Sequence, residues 1–161
     1  MNINKTILLI GACGSGKTWV MKSITKNKNL NISGKCGMIY FKTNKKEDVC
    51  VLGKYDGSIF EGSDKLSMAV ARDFELFKKL SDVKKWKVIC EGDRFTNKKF
   101  IDVFKPYVIK IKDSGEKGRK LRKSTQTERH IKSIQTRVNN TKYNIEVENS
   151  LEALKTLLNL I

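Results

Sequence analysis

The sequence contains no apolar run approaching the roughly 18 residues that a membrane-spanning helix needs. Its apolar runs, such as Ile7-Leu8-Leu9-Ile10, do not exceed four residues, the size of one strand, so the chain reads as that of a soluble protein. It also lacks a signal-peptide pattern: Met1-Asn2-Ile3-Asn4-Lys5 enters the apolar run at once, without room for an h-region and cleavage site, and a cytoplasmic location is expected. Cysteine is sparse and scattered. Cys13, Cys36, Cys50 and Cys90 form no C-x-x-C, and His130 is the only histidine, which argues against a zinc cluster and predicts free thiols. One proline and eleven glycines among 161 residues, with 39% hydrophobic residues, exclude collagen-like, disordered and coiled-coil chains. A chain of this length buries roughly two thirds of the surface its unfolded form exposes. A single domain over 1–161 is therefore expected, without disulfides or a structural metal.

Acidic residues are in short supply: 17 Asp and Glu stand against 33 Lys and Arg, giving a net charge of +16. Such a field favours a polyanionic partner. The same chain holds 27 Lys, 12 Asn and 15 Ile, a bias that an A/T-rich genome also produces, and only 6 of its cations are Arg, the better bidentate phosphate ligand.

What is present alternates strands with helices, the pattern of a parallel α/β sheet. Residues 6–10 read as a buried strand and 15–26 as the helix after a glycine-rich turn. Residues 38–42 and 49–52 are short β-like runs, forming a hairpin or two successive strands. Leu66, Val70, Phe74 and Phe77 recur at helical spacing behind Ser63 or Asp64 as cap, and this is expected to be the longest helix. Strands follow at 86–90 and 107–111, with a short helix through Phe100, Ile101 and Phe104 between them. Residues 112–142 are polar and cationic, with a thin apolar stripe at Ile131, Ile134 and Val138, and read as a basic lid. Ile145 and Val147 mark a last strand before a helix begun by Asn149 or Ser150. The expected fold is α/β: a P-loop NTPase with a parallel sheet of about five strands, helices on both faces and a lid.

Gly11-Ala12-Cys13-Gly14-Ser15-Gly16-Lys17-Thr18 fits G-x-x-x-x-G-K-[ST] at every position, between a strand and a helix. Phosphate oxygens need many donors at short range, and the glycines let successive backbone N–H groups turn inward at a helix N-terminus. The motif predicts ATP with Mg²⁺: Lys17 reaches the β- and γ-phosphates and the Thr18 hydroxyl ligates the metal.

A P-loop serves switches, motors and kinases alike, so other residues decide between them. No Asn-Lys-x-Asp string lies late in the chain, as a GTPase requires, and Val88-Ile89-Cys90-Glu91-Gly92-Asp93-Arg94 is not the Asp-Glu ending of a motor ATPase. A small phosphotransferase with a cationic lid fits better. Its base is sought among Asp56, Glu61 and Asp64, in the polar link before the long helix, because ligands of open α/β sheets bind beyond the carboxyl ends of strands. Asp64 is the choice, and the role of helix cap is compatible with it. Glu91 or Asp93 helps hold Mg²⁺, with Glu91 preferred because it directly follows the apolar run. Arg94 is read as a phosphate ligand in catalysis. Among Arg119, Arg122, Arg129 and Arg137 about two close over the triphosphate, with Arg119 and Arg122 chosen. Trp19 and Trp86 are taken as packing residues, and Tyr55 and Phe60 as better candidates for stacking.

The 11–18 motif, Gly53-Lys54-Tyr55-Asp56-Gly57 running into Gly62-Ser63-Asp64-Lys65-Leu66-Ser67-Met68, Glu91-Gly92-Asp93-Arg94-Phe95 and Thr136-Arg137-Val138-Asn139-Asn140 carry a resemblance. The chain resembles the small P-loop kinases of the nucleoside- and nucleotide-kinase superfamily. More narrowly, it is similar to bacteriophage kinases that phosphorylate 5-hydroxymethyluracil within DNA during thymine hypermodification. That resemblance implies ATP as donor, DNA as partner, Asp64 as base, a metal and phosphate site at 91–94 and a lid that binds ATP. Where the family pattern has a proline in the first half of the long helix, this chain has Ala71-Arg72. The alternatives are a kinase of free nucleosides or nucleotides, a 5′-hydroxyl polynucleotide kinase, and a DNA-binding module that binds ATP without transferring phosphate.

Overall fold

The computed structural model describes residues 5–55, 62 and 66–161. Thr6–Gly11 (β1) is buried at every position. Its alternate side chains feed two cores, Ile7 and Leu9 on one face of the sheet and Leu8 and Ile10 on the other. A strand covered on both faces needs apolar side chains in both directions, hence the unbroken run in the sequence. Lys17–Asn27 (α1) follows, then Ile32–Cys36 (β2), Ile39–Thr43 (β3) and Val49–Leu52 (β4). A 3-10 segment, Met68–Asp73, leads into Phe74–Lys84 (α2), followed by Lys87–Glu91 (β5), Lys98–Phe104 (α3) and Tyr107–Ile111 (β6). Glu116–Leu121 (α4) and Glu128–Asn140 (α5) form the cationic region, and Ile145–Val147 (β7) and Ser150–Leu160 (α6) complete the order.

The strands form one seven-stranded mixed sheet in the order β2-β3-β4-β5-β1-β6-β7. The five from β4 to β7 are mutually parallel, while β3 is antiparallel to β4 and β2 to β3. Helices cover both faces. Val20, Met21 and Ile24 of α1 pack with Ala153 and Leu157 of α6 on one side; Phe74 and Phe77 of α2, Phe100 and Phe104 of α3 and Val138 of α5 fill the other. The second core is aromatic, with Phe74 edge-on to Phe100 at 5.1 Å and Phe100 stacked on Phe104 at 4.5 Å, spacings at which ring pairs attract beyond their burial.

The expectation of a parallel five-stranded sheet needs correction. Five strands are parallel, but the hairpin β2–β3 adds two antiparallel ones at the β4 edge. Strand β2 escapes a reading by alternation because its side chains are mostly exposed and its central Gly34 lies under the Phe41 ring. The expected long helix is also shorter than its pattern. Asp73 turns its carboxylate to accept the Met38 N–H at 2.8 Å, so the backbone stays 3-10 up to that point and α2 starts at Phe74. Among the described helices α5, with 13 residues, is the longest. Ser67 caps the 3-10 segment by accepting from Ala69 N–H; the expected caps Ser63 and Asp64 lie outside the described residues.

The four cysteines are free thiols. Burial pushes Cys50 far above the ordinary thiol range, and burial with the nearby Glu91 charge does the same for Cys90, so both behave as small hydrophobic residues. No helix among the described residues is long and apolar enough to cross a membrane.

Candidate functional site

The central strand β1 lies between β5 and β6, where successive connections leave in opposite directions across the sheet. Open α/β sheets hold ligands at such a point, beyond the carboxyl ends of the strands. Residues 11–18 emerge there. Gly14 (φ 82°) and Gly16 (φ 95°) are left-handed, a conformation that side chains disfavour, and this delays α1 until Lys17 instead of the expected residue 15. With Gly16 as N-cap, no side chain caps the first turn of α1, so its N-terminal N–H groups remain for an anion.

Lys17 Nζ donates to the carbonyls of Gly11 and Ala12, both at 2.9 Å, which holds the ammonium over the loop. The Ser15 hydroxyl is 4% exposed and has no hydrogen-bond partner among the described residues. A buried donor left without a partner is costly, and a phosphate oxygen in the loop would satisfy it.

Glu91 is placed by strand periodicity. Ile89 faces α1, and two residues on, Glu91 faces the same way with 3% exposure. Thr18, in the first turn of α1, brings its hydroxyl to 3.4 Å from the Glu91 carboxylate. Gly62 lies against that carboxylate as well, since a Cβ there would fall 2.5 Å from Glu91 Oε1. Among the described residues no three His, Cys, Asp or Glu side chains converge as a metal cage. Thr18 and Glu91 fit Mg²⁺ in another way, because this ion is usually held by one or two side chains and completes its octahedron with phosphate oxygens and water.

Asp93 is engaged differently: Arg137 of α5 donates to its carboxylate, and Arg94 Nη1 stands 4.0 Å away. Arg94 Nε donates to the Leu66 carbonyl at 3.2 Å. That contact fixes the end of the 53–66 link, and Arg94 does not line the cavity, in contrast to the expected phosphate ligand. Asp56, Glu61 and Asp64, the candidate bases, and Phe60 lie outside the described residues.

The cationic region packs directly on the loop. A Cβ on Gly118 would fall 1.9 Å from Gly14 O, and one on Gly115 would fall 1.9 Å from Cys13 O. Arg119 Nη1 donates to the Cys13 carbonyl at 2.7 Å and to Ser114 O at 2.9 Å. Arg119 therefore clamps the loop backbone. Arg122 and Arg137 line the cavity between the loop and this cationic region, together with Lys17, Thr18, Trp19, Glu91 and Asp93, around about 770 Å³. Arg129 is exposed and is not among the lining residues. The volume is within the range of small-molecule sites, roughly 300–1,000 Å³.

Two features went unread in the sequence. Trp19 is 48% exposed and lines the cavity, one position after Thr18 on α1 and opposite residues of α4 and α5; only Trp86 packs as expected, 5.2 Å from Phe41. The other is the turn from β7 into α6, whose Ser150 lies against Gly16 so closely that a Cβ there would come within 2.6 Å of Ser150 Cβ. Asn149 fixes this turn by accepting from Glu152 N–H at 3.0 Å. Asn149→Ala should lower stability by about 1 kcal/mol, read from the urea midpoint, through loss of this cap.

Compared with protein-family models, curated proteins and solved structures, the chain returns no match.

Proposed function

We propose that the chain is a P-loop kinase that moves the γ-phosphate of ATP to an alcohol, the 5-hydroxymethyl group of 5-hydroxymethyluracil in DNA. The observation that carries the kinase reading is the convergence of Lys17, Thr18 and buried Glu91 under a cationic lid seated on the loop. The charge of +16 and the resemblance of the 62–68 and 91–95 strings favour DNA as acceptor.

In this reading the loop N–H groups and Lys17 hold the phosphates, while Thr18 and Glu91 hold Mg²⁺, which would supply electrostatic stabilisation of the transferring group. Arg122 and Arg137, on the cavity wall, add positive charge where the transferring group becomes more dispersed. Arg137 must exchange its Asp93 partner for phosphate to do so. The acceptor oxygen attacks the γ-phosphorus, the bond to the β–γ bridging oxygen breaks, ADP leaves with that electron pair, and the hydroxyl proton passes to a carboxylate, assigned to Asp64. Reaching a base substituent requires access from the major groove or extrusion of the nucleotide.

Transfer of γ-labelled phosphate is the test, with 5-hydroxymethyluracil DNA, ordinary DNA with 5′-hydroxyl ends, free 5-hydroxymethyl-deoxyuridine and its monophosphate as acceptors. The expected result is label on internal bases of the modified DNA, lost in Asp64→Asn. Label on the free nucleoside or nucleotide alone moves the chain to the metabolic kinases, and label at 5′ ends to the polynucleotide kinases. ATP binding with no labelled product on any acceptor supports the non-catalytic module instead.

A further inference from the structure

The hairpin β2–β3 stands outside the five parallel strands, and nothing described at the loop, metal or lid positions requires it. Its register places Lys35 opposite Tyr40 and Ser33 opposite Lys42, so these four side chains share one face. Ile39, Phe41 and Thr43 point the other way and are buried. Next to that face, the Gly53 N–H donates to the Tyr40 carbonyl, and Lys54 begins the link toward Gly62, with which it forms a β-bridge. Lys35 Nζ stands 5.0 Å from the Tyr40 ring centroid and Lys54 Nζ 4.8 Å, so two ammonium groups share one ring. Neither has a carboxylate partner among the described residues. Arg72, also exposed, is paired at 3.6 Å with Asp73, the residue that holds the hairpin turn, and is not counted in this cluster.

Like charges gathered on one ring, without a counter-charge among the described residues, are favourable toward an anion placed between them. The position gives that anion a meaning. Because β3 runs antiparallel to β4, Tyr40 lies at the carboxyl edge of the parallel strands, the edge from which the 11–18 loop emerges. Three strand spacings, about 14 Å, separate β3 from β1. In duplex DNA that distance is about four base-pair steps along one strand.

We propose that Lys35, Tyr40, Lys42 and Lys54 form a grip for the sugar-phosphate backbone of DNA, holding the polymer a few base steps from the base presented to the loop. The proposal rests on the DNA-kinase reading for its purpose, but the binding surface is testable without phosphotransfer. Lys35 and Lys54 contact phosphate, and Tyr40 keeps both side chains extended toward it. The contacts read no sequence, because phosphates carry none.

The experiment is fluorescence anisotropy of a labelled duplex without ATP, over a salt series, with wild-type chain, Lys35→Gln/Lys54→Gln and the exposed control pair Lys79→Gln/Lys155→Gln. The hairpin variant should bind tenfold or more weakly, and its slope of log K against log salt should shrink by about 1.8, since each phosphate contact contributes about 0.9. The control should change the slope by much less. Equal slopes for wild type and hairpin variant, an equal loss in the control, or no binding of DNA by the wild type would overturn the proposal. Matched urea midpoints exclude unfolding as the cause, and Lys35→Arg/Lys54→Arg should restore the slope. ATP protection against thermal unfolding tests the loop separately. Hairpin-dependent DNA binding without base phosphorylation would leave the grip standing and remove the kinase; transfer to DNA with an unaltered hairpin slope would do the reverse.

Discussion

Lys17→Ala should lower phosphoryl transfer by on the order of 10²- to 10³-fold, the cost of removing one positioned donor from a charge-stabilising site. The ammonium now held by the Gly11 and Ala12 carbonyls is, in the proposed reading, the group that reaches the β- and γ-phosphates, whereas Arg119, the other cation on the loop backbone, is engaged by the Cys13 carbonyl. Glu91→Gln keeps the shape of a buried side chain while removing the charge opposite Thr18. It should raise the Mg²⁺ concentration for half-maximal rate, with a smaller effect at saturating metal than Lys17→Ala. Transfer rates measured across a Mg²⁺ titration separate the two roles. Wild-type turnover in Lys17→Ala would remove the loop from the chemistry altogether.

Gly118→Ala should cost about a hundredfold in kcat/KM while barely moving the urea midpoint. The added Cβ would stand 1.9 Å from Gly14 O and 2.8 Å from Gly14 C, both backbone atoms that no rotamer change can move aside. Lid helix and loop must then separate by about an ångström, and a displacement of that size at the reacting groups costs about 10² in rate. Stability depends far less on this contact, since α4 buries no residue of its own. Lys117→Ala, on the exposed neighbouring position, is the control and should leave both quantities unchanged. A midpoint that falls in step with activity would mean that the lid supports the fold rather than the site.

The parts of the molecule legible in the sequence are those where burial or backbone geometry restricts residue choice. Strand β6 appears at 107–111 as expected, because an apolar run after Pro106 in a protein of this size has few alternatives. The 11–18 loop is legible through its glycines, and Glu91 through its place at the end of an apolar run. Strand β2 was not, since an edge strand paired on one side tolerates Ile32-Ser33-Gly34-Lys35-Cys36, which has no period. Arg119 reads as a phosphate ligand because charge is visible in a sequence; the Cys13 carbonyl that it clamps is a backbone atom from a distant segment, and no side chain announces it. Trp19 reads as a packing residue in the sequence because its exposure depends on where the 116–140 region comes to rest against α1. The contacts of Gly115 and Gly118 with the loop were hidden for the same reason, as tertiary approach leaves no local pattern.

The placement of β1 at the centre of the sheet also bears on how the chain acquires its site. On one side Thr6 stands opposite Val88 and on the other Ile7 opposite Tyr107, while α1, β2, β3 and β4, which follow it in the chain, provide none of its strand partners. Such distant pairings must overcome loop-closure entropy before they contribute anything, which makes them slow to form. A growing chain that has reached only β4 carries the whole 11–18 motif and neither of the strands that hold it. If the loop binds a nucleotide as proposed, that affinity should therefore appear during refolding together with the slow phase, and the nucleotide would serve as a probe for the closing step of folding.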